Sequence, residues 1–131
     1  MSKAKQKGTA FETAVVRYMQ RWYPDVERRA LQGENDKGDI AGLEIQGYPV
    51  VVECKNTKQL DISGHMKEAI REAQNAHAAF TVLIQHAPRI GFDKDENTGQ
   101  QWAIMPLHDF MELFWLAEGN GYEPINSTYG E

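Results

Sequence analysis

Apolar and polar residues alternate along this chain with two periods, and the change from one to the other marks out its elements. Phe11, Val15, Met19 and Trp22 recur at helical spacing until Pro24 ends the run, and Thr9 with Glu12 three residues later forms a capping-box pattern. The first helix is therefore expected from about Thr9, behind a lysine-rich segment, residues 1–7, expected to be a flexible basic arm. Val26 to Leu31 reads as a short strand, Gln32 to Gly38 as a loop of turn formers, and Asp39 to Ile45 as a second strand. Gln46-Gly47 then supplies a turn into a third strand, Tyr48 to Lys55. From Asp61, a plausible N-cap, a second helix is expected to about Ala79, with Ile62, Met66, Ala69, Ile70 and Ala73 on its inner face. Phe80 to His86 is a fourth strand, Pro88 to Gln100 a polar loop and Gln101 to Met105 a fifth strand. Pro106 opens a last helix, Leu107 to Ala117, which Gly119 stops. Apolar side chains cover that helix almost all round, which predicts burial in a core or in a subunit interface. Residues 120–131 read as a loose tail.

The order α-β-β-β-α-β-β-α holds one hairpin followed by a crossover helix. It predicts an α/β fold: a mixed β-sheet flanked by helices. With 131 residues, 41% of them hydrophobic, the chain has enough material for one domain, residues 1–131, with a sizeable core. No apolar run approaches the ~20 residues of a membrane span, and no apolar segment backs the basic N-terminus. A soluble, intracellular, cytoplasmic protein is expected, and the lone Cys54 agrees with a reducing compartment.

Charge changes the picture through its distribution. The formal net charge of -5 argues against a uniformly basic nucleic-acid binder. Yet Lys3, Lys5, Lys7, Arg17, Arg21, Arg28 and Arg29 precede residue 32, opposed there only by Glu12, Asp25 and Glu27, while the chain beyond Gly91 is acidic with Lys94 alone against it. The first third is either a DNA-facing surface or a solvated basic tail. Lys58, Lys67 and Arg71 are further candidates for contact with a nucleic-acid backbone.

The chemistry gathers at the end of the third strand. Val50, Val51 and Val52 are β-branched, and Glu53 and Lys55, two residues apart, project from one face of such a strand. A strict two-residue turn at Gln46-Gly47 puts Asp39 opposite Cys54, facing away from Glu53; a three-residue connection from Ile45 to Gly47, or a bulge at Gly42, puts it opposite Glu53. Glu12 lies at the edge of the first helix's apolar stripe. Three carboxylates converging there, Glu12, Asp39 and Glu53, would repel one another unless a hard cation sat among them. Mg²⁺ suits such a site because it keeps waters and phosphate oxygens as its other ligands. Lys55 beside it is placed to orient or deprotonate a water, or to neutralise charge developing on a phosphate.

Asp39, thirteen intervening residues and Glu53-Cys54-Lys55, with an acid on the preceding helix, resembles the PD-(D/E)XK nuclease superfamily and its restriction-endonuclease-like core. More narrowly, Lys7-Gly8 and Phe11-Glu12, Arg29 before a Gly-rich loop, Gly38-Asp39-Ile40 and Val52 to Lys55 look like the archaeal-type Holliday junction resolvases and their phage relatives. Gly38 stands where the motif's proline would be, and Glu34 where the archaeal enzymes tend to carry a serine. The resemblance implies that Asp39 and Glu53 bind Mg²⁺, with Mn²⁺ able to substitute, helped by the Cys54 backbone carbonyl. It also implies that Lys55 is the catalytic lysine and that Glu12 completes the metal site or holds its water. Arg29 would contact a phosphate near the scissile bond, and Gln74 would position substrate or water.

The function expected from this reading is resolution of branched DNA by paired nicks. Paired nicks need two active sites and hence a homodimer, with the Leu107–Leu116 helix as a candidate interface. A restriction-like or repair nuclease acting on duplex, flap or single-stranded DNA is the first alternative. The second is a non-catalytic DNA-binding module on the same fold.

Overall fold

The structure is a computed structural model and describes residues 3–29 and 37–121. In chain order the elements are α1 (Lys3–Met19), β1 (Glu27–Arg28), β2 (Ile40–Ala41), β3 (Glu44–Ile45) and β4 (Tyr48–Lys55). After them come α2 (Ile62–Ala76), β5 (Phe80–Gln85), α3 (Asp95–Thr98), β6 (Trp102–Ile104) and α4 (Leu107–Ala117). The result is a mixed α/β fold with a six-stranded sheet, ordered β1-β2-β4-β5-β6, with β3 also pairing β4. Among the described strands only β4 and β5 run parallel, joined by the α2 crossover. Among the described residues no helix is long and apolar enough to cross a membrane.

Strand β4 divides its side chains between two layers. Val50, Val52 and Cys54 pack with Phe11, Val15 and Val16 of α1, with Ile40 and with Phe80. Val51 faces the other way, onto Ala73 and Ile70 of α2. By the two-residue period of a strand, Glu53 and Lys55 share the α2 side.

Several boundaries differ from the sequence expectation. Residues 3–7 are the first turns of α1 and not a flexible arm; Lys, Ala and Gln are good helix formers, so the helix runs through Gly8 instead of starting at the Thr9 cap. The polar stretch after Pro88 contains the short helix α3, fastened by Gln101, whose side-chain amide donates to the Gly91 carbonyl at 3.0 Å and whose oxygen accepts from the Ala87 N–H at 2.7 Å. α2 is shorter than expected: Asp61 caps it by accepting from the Gly64 N–H at 3.0 Å, and His77 ends it in the left-handed conformation with φ 49°. Of the Val26–Leu31 strand, β1 keeps Glu27 and Arg28; residues 30–36, including Glu34, and the tail from 122 on lie outside the described residues.

The expected second strand is split in two, and the split sets the register. Gln46 and Gly47 both have positive φ, 51° and 87°, as a tight two-residue hairpin turn requires. Ile45 accordingly pairs with Tyr48 and Glu44 with Pro49. The Val50 N–H still donates to Leu43 at 2.9 Å, but Ile40 pairs with Val52. From Leu43 to Ile40 the chain takes one step more than β4 does from Val50 to Val52, which is a bulge at Gly42. Of the two irregularities that bring Asp39 to the Glu53 side, the bulge is the one present. Gly42 has φ 93°, and a Cβ there would lie 2.9 Å from the Asp25 carbonyl oxygen, so no other residue fits without strain.

Gly42→Ala is expected to destabilise the protein by roughly 1–3 kcal/mol, from the positive φ and the backbone contact together. Thermal or urea unfolding measures this; an unchanged midpoint would show that the bulge is not held by the glycine.

Candidate functional site

Extending the Ile40–Val52 pair by one residue puts Asp39 across from Glu53, at the open ends of neighbouring strands. Hydrogen bonds fix Asp39 there: its N–H donates to the Val52 carbonyl and its own carbonyl accepts from the Arg29 N–H, both at 2.8 Å. The Asp39 carboxylate accepts from the Cys54 N–H at 2.7 Å. In an extended strand a residue's N–H and C=O leave by the same edge, so the Cys54 carbonyl also faces Asp39.

Glu53 is 2% exposed, with the side chains of Asp39, Glu68 and Glu72 beside it. Its affinity for a proton is pushed far above the usual carboxylate range, first by burial and then by those three acids. Glu68, by contrast, is held low by its hydrogen bond to Glu53 and by Lys55. The Lys55 ammonium lies 2.6 Å from Glu68 and 3.8 Å from Glu53. Burial pulls the Lys55 pKa down, but Glu68 and Glu53 more than reverse this and raise it.

Glu12 reaches the same region from α1. Burial and the charge of Asp39 raise its pKa, against the lowering pull of Arg28, whose Nε is 3.4 Å from the Glu12 carboxylate. Arg28 is thus drawn into the site as a partner of Glu12. Cys54 points into the α1 layer as a core thiol, its pKa raised by burial and by the nearby acids.

Asp39, Glu53 and Lys55 are brought together as expected, but the tightest acidic group is another one. Among the described residues, Glu53, Glu68 and Glu72 each bring one carboxylate oxygen to within 4.8 Å of the other two, a set that could hold a metal ion. The expected trio of Glu12, Asp39 and Glu53 shares one member with it. A Mg²⁺ ion with bonds of ~2.1 Å spans ~4.2 Å between opposite oxygens, and of this set Glu68 is already engaged by the Lys55 ammonium at 2.6 Å. Carboxylate oxygens are the donors such an ion prefers, and the raised proton affinity of Glu53 marks a crowding of acids that a cation would relieve.

Glu68 and Glu72 are the residues that sequence reasoning missed. They lie four apart on α2, beside the apolar positions Ala69 and Ala73, and that adjacency was the available signal. Gln74, expected to position substrate, is exposed; two residues beyond Glu72, it lies on the far side of the helix from the strand ends. Lys3, Lys5, Lys7 and Lys58 are exposed, and the buried Arg29 Nε has no hydrogen-bond partner among the described residues. Asn56, next to Lys55, likewise has both amide atoms buried without a partner.

Comparison with family models, with curated proteins and with solved structures finds no match for this chain.

A group whose folded-state pKa is raised contributes stability that is lost as pH rises from its unfolded value toward its folded one. Without divalent cations, stability is therefore expected to fall between about pH 5 and 8, with Glu53 contributing at most ~1.4 kcal/mol per pH unit. Glu53→Gln should flatten that slope and raise the melting temperature at pH 8 in chelator. An equally steep slope in Glu53→Gln would show that Glu53 is not the proton-holding group.

Proposed function

We propose that the chain is a Mg²⁺-dependent DNA endonuclease that nicks four-way junctions in pairs. The observation that carries this is the placement of Asp39 beside Glu53 across the strand pair, with Lys55 on the Glu53 side. Asp39, Glu53 and the Cys54 carbonyl would hold the cation, with Glu12 at its margin; Mn²⁺ has the chemistry to substitute. When bound, the cation supplies a polarised phosphate and an activated water. Burial of Glu53 keeps bulk solvent away, which strengthens every charge interaction in the site. Lys55 donates to the phosphate as negative charge builds there, and Arg29 binds a neighbouring phosphate oxygen. The exposed lysines at the start of α1, and Lys58 beyond β4, supply the positive surface that a nucleic-acid backbone needs in a chain of net charge -5.

Paired nicks call for two chains, and α4 has the surface for a homodimer. Its outward face carries Leu107, Phe110, Met111, Phe114 and Trp115, between 49% and 74% exposed, while the buried Asp109 carboxylate accepts from the Thr81 N–H of the sheet. At ~200 Å² for each large side chain, that face with Leu113 and Trp102 leaves on the order of 700 Å² of apolar surface bare, near the ~800 Å² each partner contributes to a standard interface. The groove beside it, lined by Ala103, Ile104, Met105, Leu107 and Phe110, puts a hollow next to the projecting rings, as a self-complementary two-fold contact requires.

With Mg²⁺, the protein is expected to place symmetric nicks in a labelled four-way junction, and chelator should stop it. Glu53→Ala and Lys55→Ala should each lower the rate by at least about 100-fold while junction binding persists. Equal cutting of linear duplex would favour a restriction-like or repair nuclease, and binding without metal-dependent cutting would favour a non-catalytic module. Light scattering should give the mass of two chains for the wild type and of one chain for the double variant Phe114→Glu, Trp115→Glu. A one-chain mass for the wild type would remove the dimer.

A further inference from the structure

α2 turns one polar stripe toward the end of β4. His65, Glu68 and Glu72 follow one another at spacings of three and four and so share a face of the helix. His65 Nδ1 lies 3.2 Å from the side-chain oxygen of Gln85, a fully buried residue of β5 level with Lys55. The Gln85 amide donates in turn to the Lys55 carbonyl at 3.3 Å and to the His86 carbonyl at 3.4 Å. Lys55 is thus held at both ends: its main chain by Gln85 and its ammonium by Glu68.

The two ammonium distances decide which acid serves it. Glu68 is at 2.6 Å and Glu53 at 3.8 Å, so the charge-assisted hydrogen bond goes to Glu68 and Glu53 is only a neighbour. Lysine has a long flexible stem and a compact charge, so an unanchored ammonium at the mouth of the site would sample many positions.

We propose that Glu68 is a positioning residue for Lys55: its carboxylate, 2.6 Å from the ammonium, holds that charge in one place at the mouth of the site. This rests on the nuclease reading, in which Lys55 touches the scissile phosphate. Glu68 itself acts only through Lys55, and Glu68→Gln keeps its shape while removing the anion.

The test uses the full chain and a labelled four-way junction in single-turnover reactions at saturating Mg²⁺. Glu68→Gln should lower the cleavage rate on the order of 100-fold, the scale of a misplaced catalytic group, with junction affinity unchanged. Glu68→Asp should restore part of that loss. In a Lys55→Ala background, Glu68→Gln should add nothing further, as expected for two residues acting as one unit. Without DNA, the rise in melting temperature caused by Mg²⁺ should be the same for wild type and Glu68→Gln. Wild-type cleavage together with undiminished cleavage by Glu68→Gln would overturn the proposal and leave the nuclease reading standing. A Mg²⁺-induced rise lost in Glu68→Gln would also overturn it, by making Glu68 a cation ligand. A wild-type chain that cuts no DNA would overturn both.

Discussion

Everything at the strand ends depends on one extra residue in the hairpin. Below Gly42 the strands keep the register set by the Gln46-Gly47 turn, and above it they are displaced by one. Since side chains alternate between faces, that single step decides on which side of the sheet Asp39 emerges. In the undisplaced register its carboxylate would enter the layer occupied by Phe11, Val15 and Ile40, where nothing could solvate it. With the bulge it meets the Cys54 N–H and the Glu53 carboxyl instead. The contact of Gly42 with the Asp25 carbonyl also ties the bulge to the chain leaving α1, so helix, hairpin and acids are located by one backbone arrangement.

The site is a concentration of like charge that the fold opposes elsewhere with ordinary apolar packing. Phe11, Val52, Phe80 and Leu83 are almost wholly buried around it. Glu53, Glu72 and Asp39 are held against electrostatic preference by that framework. Lys55 is the one lysine drawn in among them, and it cannot neutralise all of them. Burial and the neighbouring acids raise the proton affinity of Glu53, which is how the surplus of like charge shows itself.

Much of this was legible in the sequence where local pattern and tertiary packing agree. The bounds of β4 and α4, the Asp61 cap and the turn at Gln46-Gly47 follow from β-branched runs, caps and glycine, which act over a few residues. The register problem at Asp39 was also visible, because counting residues around a turn needs no three-dimensional information. Which irregularity solved it was not visible, since that depends on how closely Asp25 approaches Gly42. Glu68 and Glu72 were hidden for a similar reason. Acids four apart on a helix flank look like a solvated face, and only the docking of α2 over β4 and β5 shows that Glu72 is buried. Asp109 reversed the usual expectation: a charged residue in an apolar helix reads as its outer face, yet here it is the buried side chain and the aromatic rings are outside.

That reversal has a mechanical side. β6 pairs with β5 only from Leu83 to Gln85, and the Thr81 N–H, beyond its reach, donates to the Asp109 carboxylate at 2.9 Å. Thr81 is further pinned by its hydroxyl, which donates to the Ala69 carbonyl of α2 at 3.2 Å. α4 is therefore tied, through Thr81, to the strand and the crossover helix that pack beside β4. A load on its outer face would reach the sheet through the Asp109–Thr81 hydrogen bond, at the opposite end of β5 from Gln85, the residue level with Lys55.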